Sequence, residues 1–106
     1  PAMAKEIFFT ARRFNAEAAL AMGLVNRVVP LDQLEATVAE YTAMIGENAP
    51  LTIRAAKAAV VEALKDPEKR NLERLEEQIA ACFDSEDFAE GRTAFMEKRK
   101  PVFKGR

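Results

Sequence analysis

Histidine and tryptophan are absent from this 106-residue chain, and cysteine occurs once, at Cys82. Without histidine the chain lacks the commonest metal ligand and acid/base side chain, so a Cys/His zinc site and histidine catalysis are excluded. A lone cysteine has no partner for an internal disulfide. Glycine is scarce as well. Gly23, Gly46, Gly91 and Gly105 are scattered, which leaves no glycine-rich loop to cradle phosphate or to aim backbone N–H groups at an oxyanion. No apolar run approaches the ~20 residues of a membrane helix, and no charged-then-apolar leader opens the chain, so a cytoplasmic protein with no membrane partner is expected. Strong net charge is missing too: 16 Lys and Arg against 17 Asp and Glu give −1, so no global field recruits nucleic acid.

What is present is ordinary for a folded chain, with 49% hydrophobic and 31% charged residues, and this excludes disorder. The length fits one domain, 1–106. Ala2 to Phe9 reads as a helix ending in I-F-F, apolar enough to be partly buried, with an extended link to Phe14. Asn15 can cap a short helix from Ala16 to Met22, and Gly23 stands where a left-handed residue is wanted. Leu24 to Pro30 is β-branched and reads as a strand or an extended connector. Asp32 and Glu35 have capping-box spacing, and Leu34, Val38, Tyr41 and Ile45 then repeat at helical intervals to about Glu47.

Asn48, Ala49 and Pro50 end that helix and start another. Its stripe is Ile53, Ala56, Val60 and Leu64, widened by Ala55, Ala58 and Ala59, and burial on several sides is expected because small residues permit close approach. Asp66 and Pro67 read as cap and first turn of the next helix, with Leu72, Leu75, Ile79, Cys82 and Phe83 on one stripe. Glu73, Glu76 and Glu77 lie opposite that stripe, as a solvated face would. Cys82, on the stripe, reads as a small buried hydrophobe. The expected fold is mainly α, about five to six helices with short connections and no substantial sheet.

The closing stretch, S-E-D-F-A-E-G-R-T-A-F-M-E-K-R-K-P-V-F-K-G-R, is the most specific. Ser85 can cap a helix whose first turn carries Glu86 and Asp87 against the dipole. Pro101 makes Arg99 or Lys100 the expected last helical residue. Gly91, Phe95 and Lys98 then share a face that sets a gap, an aromatic plate and an ammonium side by side. By pattern alone Phe95 and Phe88 are core and Lys98 is solvent. The basic tail, Lys98 to Arg106, reads as a solvated terminus, since Glu86, Asp87, Glu90 and Glu97 share its helix.

The motif S-E-D-F-x-E-G-x-x-A-F-x-E-K-R-x-P-x-F resembles the C-terminal end of the enoyl-CoA hydratase/isomerase, or crotonase, family. The resemblance continues upstream through A-x-E-A-x-x-x-G-L-V-N-x-V-V-P at Ala16 to Pro30 and N-A-P-L-x-I-R-A-A-K at Asn48 to Lys57. It implies that 1–106 is the C-terminal helical domain of the crotonase fold, serving oligomerisation and one wall of the coenzyme A site, with the N-terminal catalytic domain absent. A start at Pro1 rather than methionine fits that expectation. The implied parent hydrates 2-enoyl-CoA thioesters in acyl-CoA metabolism, with acyl-CoA as substrate and no cofactor. The family's catalytic residues lie in its glycine-rich N-terminal half, so none is carried over and this chain alone is expected to be inactive. Phe95 and Lys98 match the aromatic and lysine that approach acyl-CoA, the lysine near its phosphates, and in several members they come from a neighbouring subunit. Implied partners are the chain's own N-terminal half and a homo-oligomer, trimer or hexamer, with self-association of this chain alone. An isomerase, decarboxylase or thioester hydrolase stays open, as does a free-standing helical interaction module.

Overall fold

The computed structural model describes residues 2–106. α1 spans Ala2–Thr10, α2 Ala16–Ala21, α3 Leu34–Gly46, α4 Pro50–Ala63, α5 Leu72–Phe83 and α6 Glu86–Glu97, and no strand occurs among the described residues. The mainly α expectation is therefore met. Two compact units divide the chain, the first ending at Ala39 inside α3 and the second running Glu40–Arg106.

In the first unit, α2 begins because Asn15 Oδ1 accepts the Ala18 N–H at 2.9 Å, which satisfies one of the donors a helix start leaves free. It ends because Gly23 takes φ 72, which lets the Leu24 N–H reach the Ala19 carbonyl at 2.9 Å and the Gly23 N–H reach that of Leu20 at 3.0 Å. This is the Schellman closure, and glycine adopts its left-handed residue without steric cost. Residues 24–30 form a connector and no strand, there being no second strand to pair with. Asp32 does not cap α3. Leu31–Gln33 is a 3-10 turn behind Pro30, with no side-chain cap bond, because the fixed φ of proline starts the turn before Asp32. The partial burial expected of the I-F-F end of α1 falls on Ile7 alone, which is half-buried, while Phe8 and Phe9 are each 81% exposed.

In the second unit, α4 and α5 form an antiparallel hairpin, and α6 packs on α5. The contact line on α4 runs through buried Ala55 and half-buried Leu51, Ala58 and Ala59. Val60 and Leu64, placed on the stripe by sequence, are 62% and 84% exposed. The reason is size: α5 approaches closest where α4 offers alanine, so the bulkier residues are left outside. The expected burial of α4 on several sides is not found. On α5 only Leu75, Gln78 and Cys82 are half-buried.

Asp66 likewise caps nothing, because Pro67–Lys69 forms a 3-10 turn and Asp66 pairs with Lys69 at 2.6 Å. Asn71 caps α5 in its place, accepting the Arg74 N–H at 2.9 Å. The hairpin is closed by Glu62, whose Oε2 accepts the Asn71 N–H at 2.9 Å while Oε1 takes Lys65 Nζ at 2.7 Å. Arg70 donates to the Lys65 and Ala63 carbonyls at 3.1 and 3.3 Å, which satisfies acceptors the end of α4 leaves open.

Candidate functional site

Between the first half of α4, the end of α5 and the face of α6 runs an open groove of about 650 Å³. Ala55, Ala56 and Ala59 form its floor on α4. Ile79 and Phe83 line it from α5, Phe88, Gly91 and Phe95 from α6, and Phe103 from the tail. Phe83 and Phe88 meet edge to face, with centroids 5.2 Å apart, a favourable arrangement for two aromatic quadrupoles. Such a groove suits a flat or aliphatic group, with few polar atoms to direct it.

Phe95 lies in this groove and is 82% exposed. The core reading of the α6 aromatics is thereby corrected: the inward residue is its neighbour Ala94, at 1% exposure. Cys82 also lines the groove and its thiol donates to the Gln78 carbonyl at 3.2 Å.

Lys98 is not on the helical face that sequence gave it. α6 stops at Glu97, and Lys98 takes φ 55, ψ 38. The Arg99 N–H reaches the Ala94 carbonyl at 3.0 Å and the Lys98 N–H that of Phe95 at 3.2 Å. This is the closure seen at Gly23, with a lysine where glycine is favoured, at a cost of about 1 kcal/mol. Helical dihedrals at Lys98 would carry the chain past Glu90, whereas the reversal turns it back. Lys98 has no ion-pair partner among the described residues; it follows Phe95 by three positions, beyond the end of the helix, and does not line the groove.

After the reversal the tail is strapped along α6. Arg99 places Nη1 and Nη2 on the two oxygens of Glu90 at 2.6 and 2.9 Å, and Nε on Glu97 at 2.6 Å. Glu90 Oε1 also accepts the Val102 N–H at 2.8 Å. One turn earlier Asp87, only 3% exposed, accepts the Lys104 and Gly105 N–H groups at 2.6 and 2.8 Å. The basic residues Lys98, Arg99, Lys100, Lys104 and Arg106 are exposed, as expected, but the backbone that carries them is not free: these carboxylates satisfy donors that the tail could not pair otherwise.

Electrostatics follow the same plan. The Arg99 hydrogen bonds, and then that of Val102, hold the Glu90 carboxyl down to about 2, and Glu90 in turn raises Arg99 above its ordinary value. Glu62 is lowered by its Lys65 hydrogen bond and then by the Asn71 N–H. A general acid at neutral pH needs a carboxyl raised by burial, so these groups serve architecture. Glu73, Glu76 and Glu77 are exposed, as expected. Among the described residues no group of His, Cys, Asp and Glu has the arrangement to hold a metal, and no helix is long and apolar enough to cross a membrane. Sequence reasoning missed Asp87, Glu90, Arg99 and Phe103 as partners; the only signal was the charge alternation of E-x-x-x-x-x-x-E-K-R before Pro101.

In the second unit, then, α4, α5 and α6 frame an apolar trough flanked by the tail. The chain belongs to the enoyl-CoA hydratase/isomerase family, whose description matches residues 1–106. It is 40% identical over 104 residues to methylmalonyl-CoA decarboxylase of Escherichia coli (strain K12), covering 95% of this chain and 40% of that protein. To crotonyl-CoA hydratase of Syntrophomonas wolfei subsp. wolfei it is 37% identical over 103 residues, covering 97% and 40%. A crystal structure of an enoyl-CoA hydratase/carnithine racemase from Magnetospirillum magneticum aligns with a TM-score of 0.89 at 40% identity, over 100% of this chain and 39% of that one. The chain spans about two fifths of the length of these relatives.

Proposed function

We propose that this chain is the C-terminal helical part of a longer enzyme of the family, one that hydrates 2-enoyl-CoA thioesters. Phe95 covers the acyl-thioester or pantetheine portion, and Lys98 meets a phosphate of coenzyme A. The observation that carries this reading is an exposed phenyl on an apolar groove, followed three positions later by a lysine with no ion-pair partner among the described residues: the phenyl shields a thioester from water and the ammonium is a serviceable phosphate partner. Acyl-CoA enters as substrate, without a separate cofactor, and the residues that perform the addition come from the preceding half.

Surface area supports a covering partner. The chain exposes 8957 Å², against roughly 5,900 Å² for a folded monomer of its mass. Ala19, Ala55 and Ala94 are its only buried hydrophobic residues among those described, and no large side chain is fully enclosed. The N-terminal half and neighbouring copies, as a trimer or hexamer, are the occupants we assign to this apolar surface. Lacking them, the 106-residue chain self-associates.

A decarboxylase is the second reading, favoured by the 40% identity to the methylmalonyl-CoA enzyme. Assay of the full-length protein with crotonyl-CoA and with methylmalonyl-CoA decides between them. Loss of the enoyl absorbance supports the hydratase, carbon dioxide release supports the decarboxylase, and inertness toward both refutes each.

A further inference from the structure

We propose that Glu90 and Arg99 are positioning residues: their two-pronged pair holds the left-handed turn that aims the Lys98 ammonium at a phosphate of a coenzyme A thioester. The proposal rests on the reading of Lys98 given above and adds the residues through which that lysine is placed.

Lys98 and Gly23 close their helices with the same pair of backbone bonds, at φ 55 and φ 72. Glycine takes this conformation without steric cost, whereas the Cβ of a lysine crowds the backbone at a cost of about 1 kcal/mol. Bonds on either side of residue 98 are placed to offset that cost. Arg99, the next residue, donates through both terminal nitrogens to Glu90, nine positions back, at 2.6 and 2.9 Å. Its remaining donor, Nε, lies 2.6 Å from Glu97, so the two residues flanking Lys98 are bonded to each other across it. Glu90 extends the clamp by accepting the Val102 N–H at 2.8 Å. A planar five-donor guanidinium can make all these bonds at once, which an ammonium cannot.

Charge is distributed to the same end. Glu90 and Glu97 are both engaged by Arg99, and Lys100 pairs with Glu47 at 3.3 Å. Lys98, between them, is left without a carboxylate among the described residues. A cluster made only for stability would draw Lys98 in as well. This one fixes the backbone of residue 98 and leaves its cation free, as an anion-contacting group requires.

The test uses the full-length protein and two substrates, an acyl-CoA and the matching pantetheine thioester, which lacks the nucleotide phosphates. Glu90→Gln removes the charge that holds the fork while leaving Lys98 in place; Lys98→Met removes the ammonium and leaves the fork. Each variant is expected to raise KM for the acyl-CoA about tenfold, with kcat and the pantetheine ester unchanged. The double variant is expected to be no worse than Lys98→Met, because both act through one ammonium. Arg99→Lys, which keeps the charge and loses the fork, gives the Glu90→Gln result and stands in for it if that variant does not fold. An acyl-CoA KM that Lys98→Met leaves unchanged removes the phosphate reading and this proposal with it. If Lys98→Met raises KM and Glu90→Gln does not, positioning alone is wrong. Equal losses on both substrates in Glu90→Gln, or additive effects in the double variant, reduce the pair to a structural role and overturn the proposal.

Discussion

The ring of Phe103 lies against Gly91: a Cβ built on this glycine would sit 3.6 Å from Phe103 Cε1, which is ordinary contact. An alanine fits there without moving the tail. Because glycine inside a helix costs about 1 kcal/mol relative to alanine, Gly91→Ala is expected to stabilise the full-length protein by up to that amount in urea denaturation. A destabilised variant would show that the tail needs more room than the contact implies. If stability rises while KM for acyl-CoA also rises, the gap beside Phe95 is occupied by substrate.

Asp87 is the deeper of the two anchors. Asp87→Ala leaves the Lys104 and Gly105 N–H groups without their acceptor, and a loss of about 1–2 kcal/mol is expected. Hydrogen exchange at these two amides should accelerate while that of α4 and α5 stays slow. Unchanged exchange there would mean that the carboxylate does not hold the tail.

Acid should loosen the other anchor late. Glu90 titrates at about 2 instead of 4.5, chiefly because of Arg99. A carboxyl whose folded value is depressed stabilises the native state above its unfolded value and loses that contribution as pH falls through the folded one. The Glu90 anchor is thus complete at neutral pH and weakens only between about 4.5 and 2. A carbon-detected titration of the Glu90 carboxyl, followed alongside Val102 amide exchange, checks this; a midpoint near 4.5 contradicts it.

Phe95 separates substrate contact from packing. At 82% exposure its truncation to alanine should change the stability of the 106-residue chain by less than about 0.5 kcal/mol, the range of a surface substitution. In the full-length enzyme the same change should raise KM for acyl-CoA. A multi-degree fall in Tm of this chain would return Phe95 to the core.

Local signals in the sequence located most of the helices. Asn15 and Ser85 cap where their side-chain chemistry says they should, with bonds of 2.9 and 3.0 Å, and Gly23 closes α2 as its freedom at positive φ suggests. Asp32 and Asp66 misled, because each is next to or just after a proline that starts a 3-10 turn of its own. The inward face of α4 was misread because Val60 and Leu64 were set on the same stripe as the alanines, whereas only Ala55 is buried and Leu51, Ala58 and Ala59 are half-buried. Non-local pairing was the least legible: nothing in the spacing of Asp87, Glu90 and Arg99 announces their partners until Lys98 reverses the chain. The α6 aromatics read as core for a related reason, since their apolar stripe does not say that its cover comes from elsewhere.

Asp87 also donates its own N–H to the Arg106 carbonyl at 3.2 Å, so the opening turn of α6 is completed by residues that are synthesised well after the helix itself. Helices α4 and α5 can meet while translation continues, but α6 has to wait for the peptide that follows it. Premature termination anywhere between Lys98 and Arg106 would leave a hairpin with a frayed third helix, and quality-control proteases would find their opening at Glu86 rather than at the cut itself.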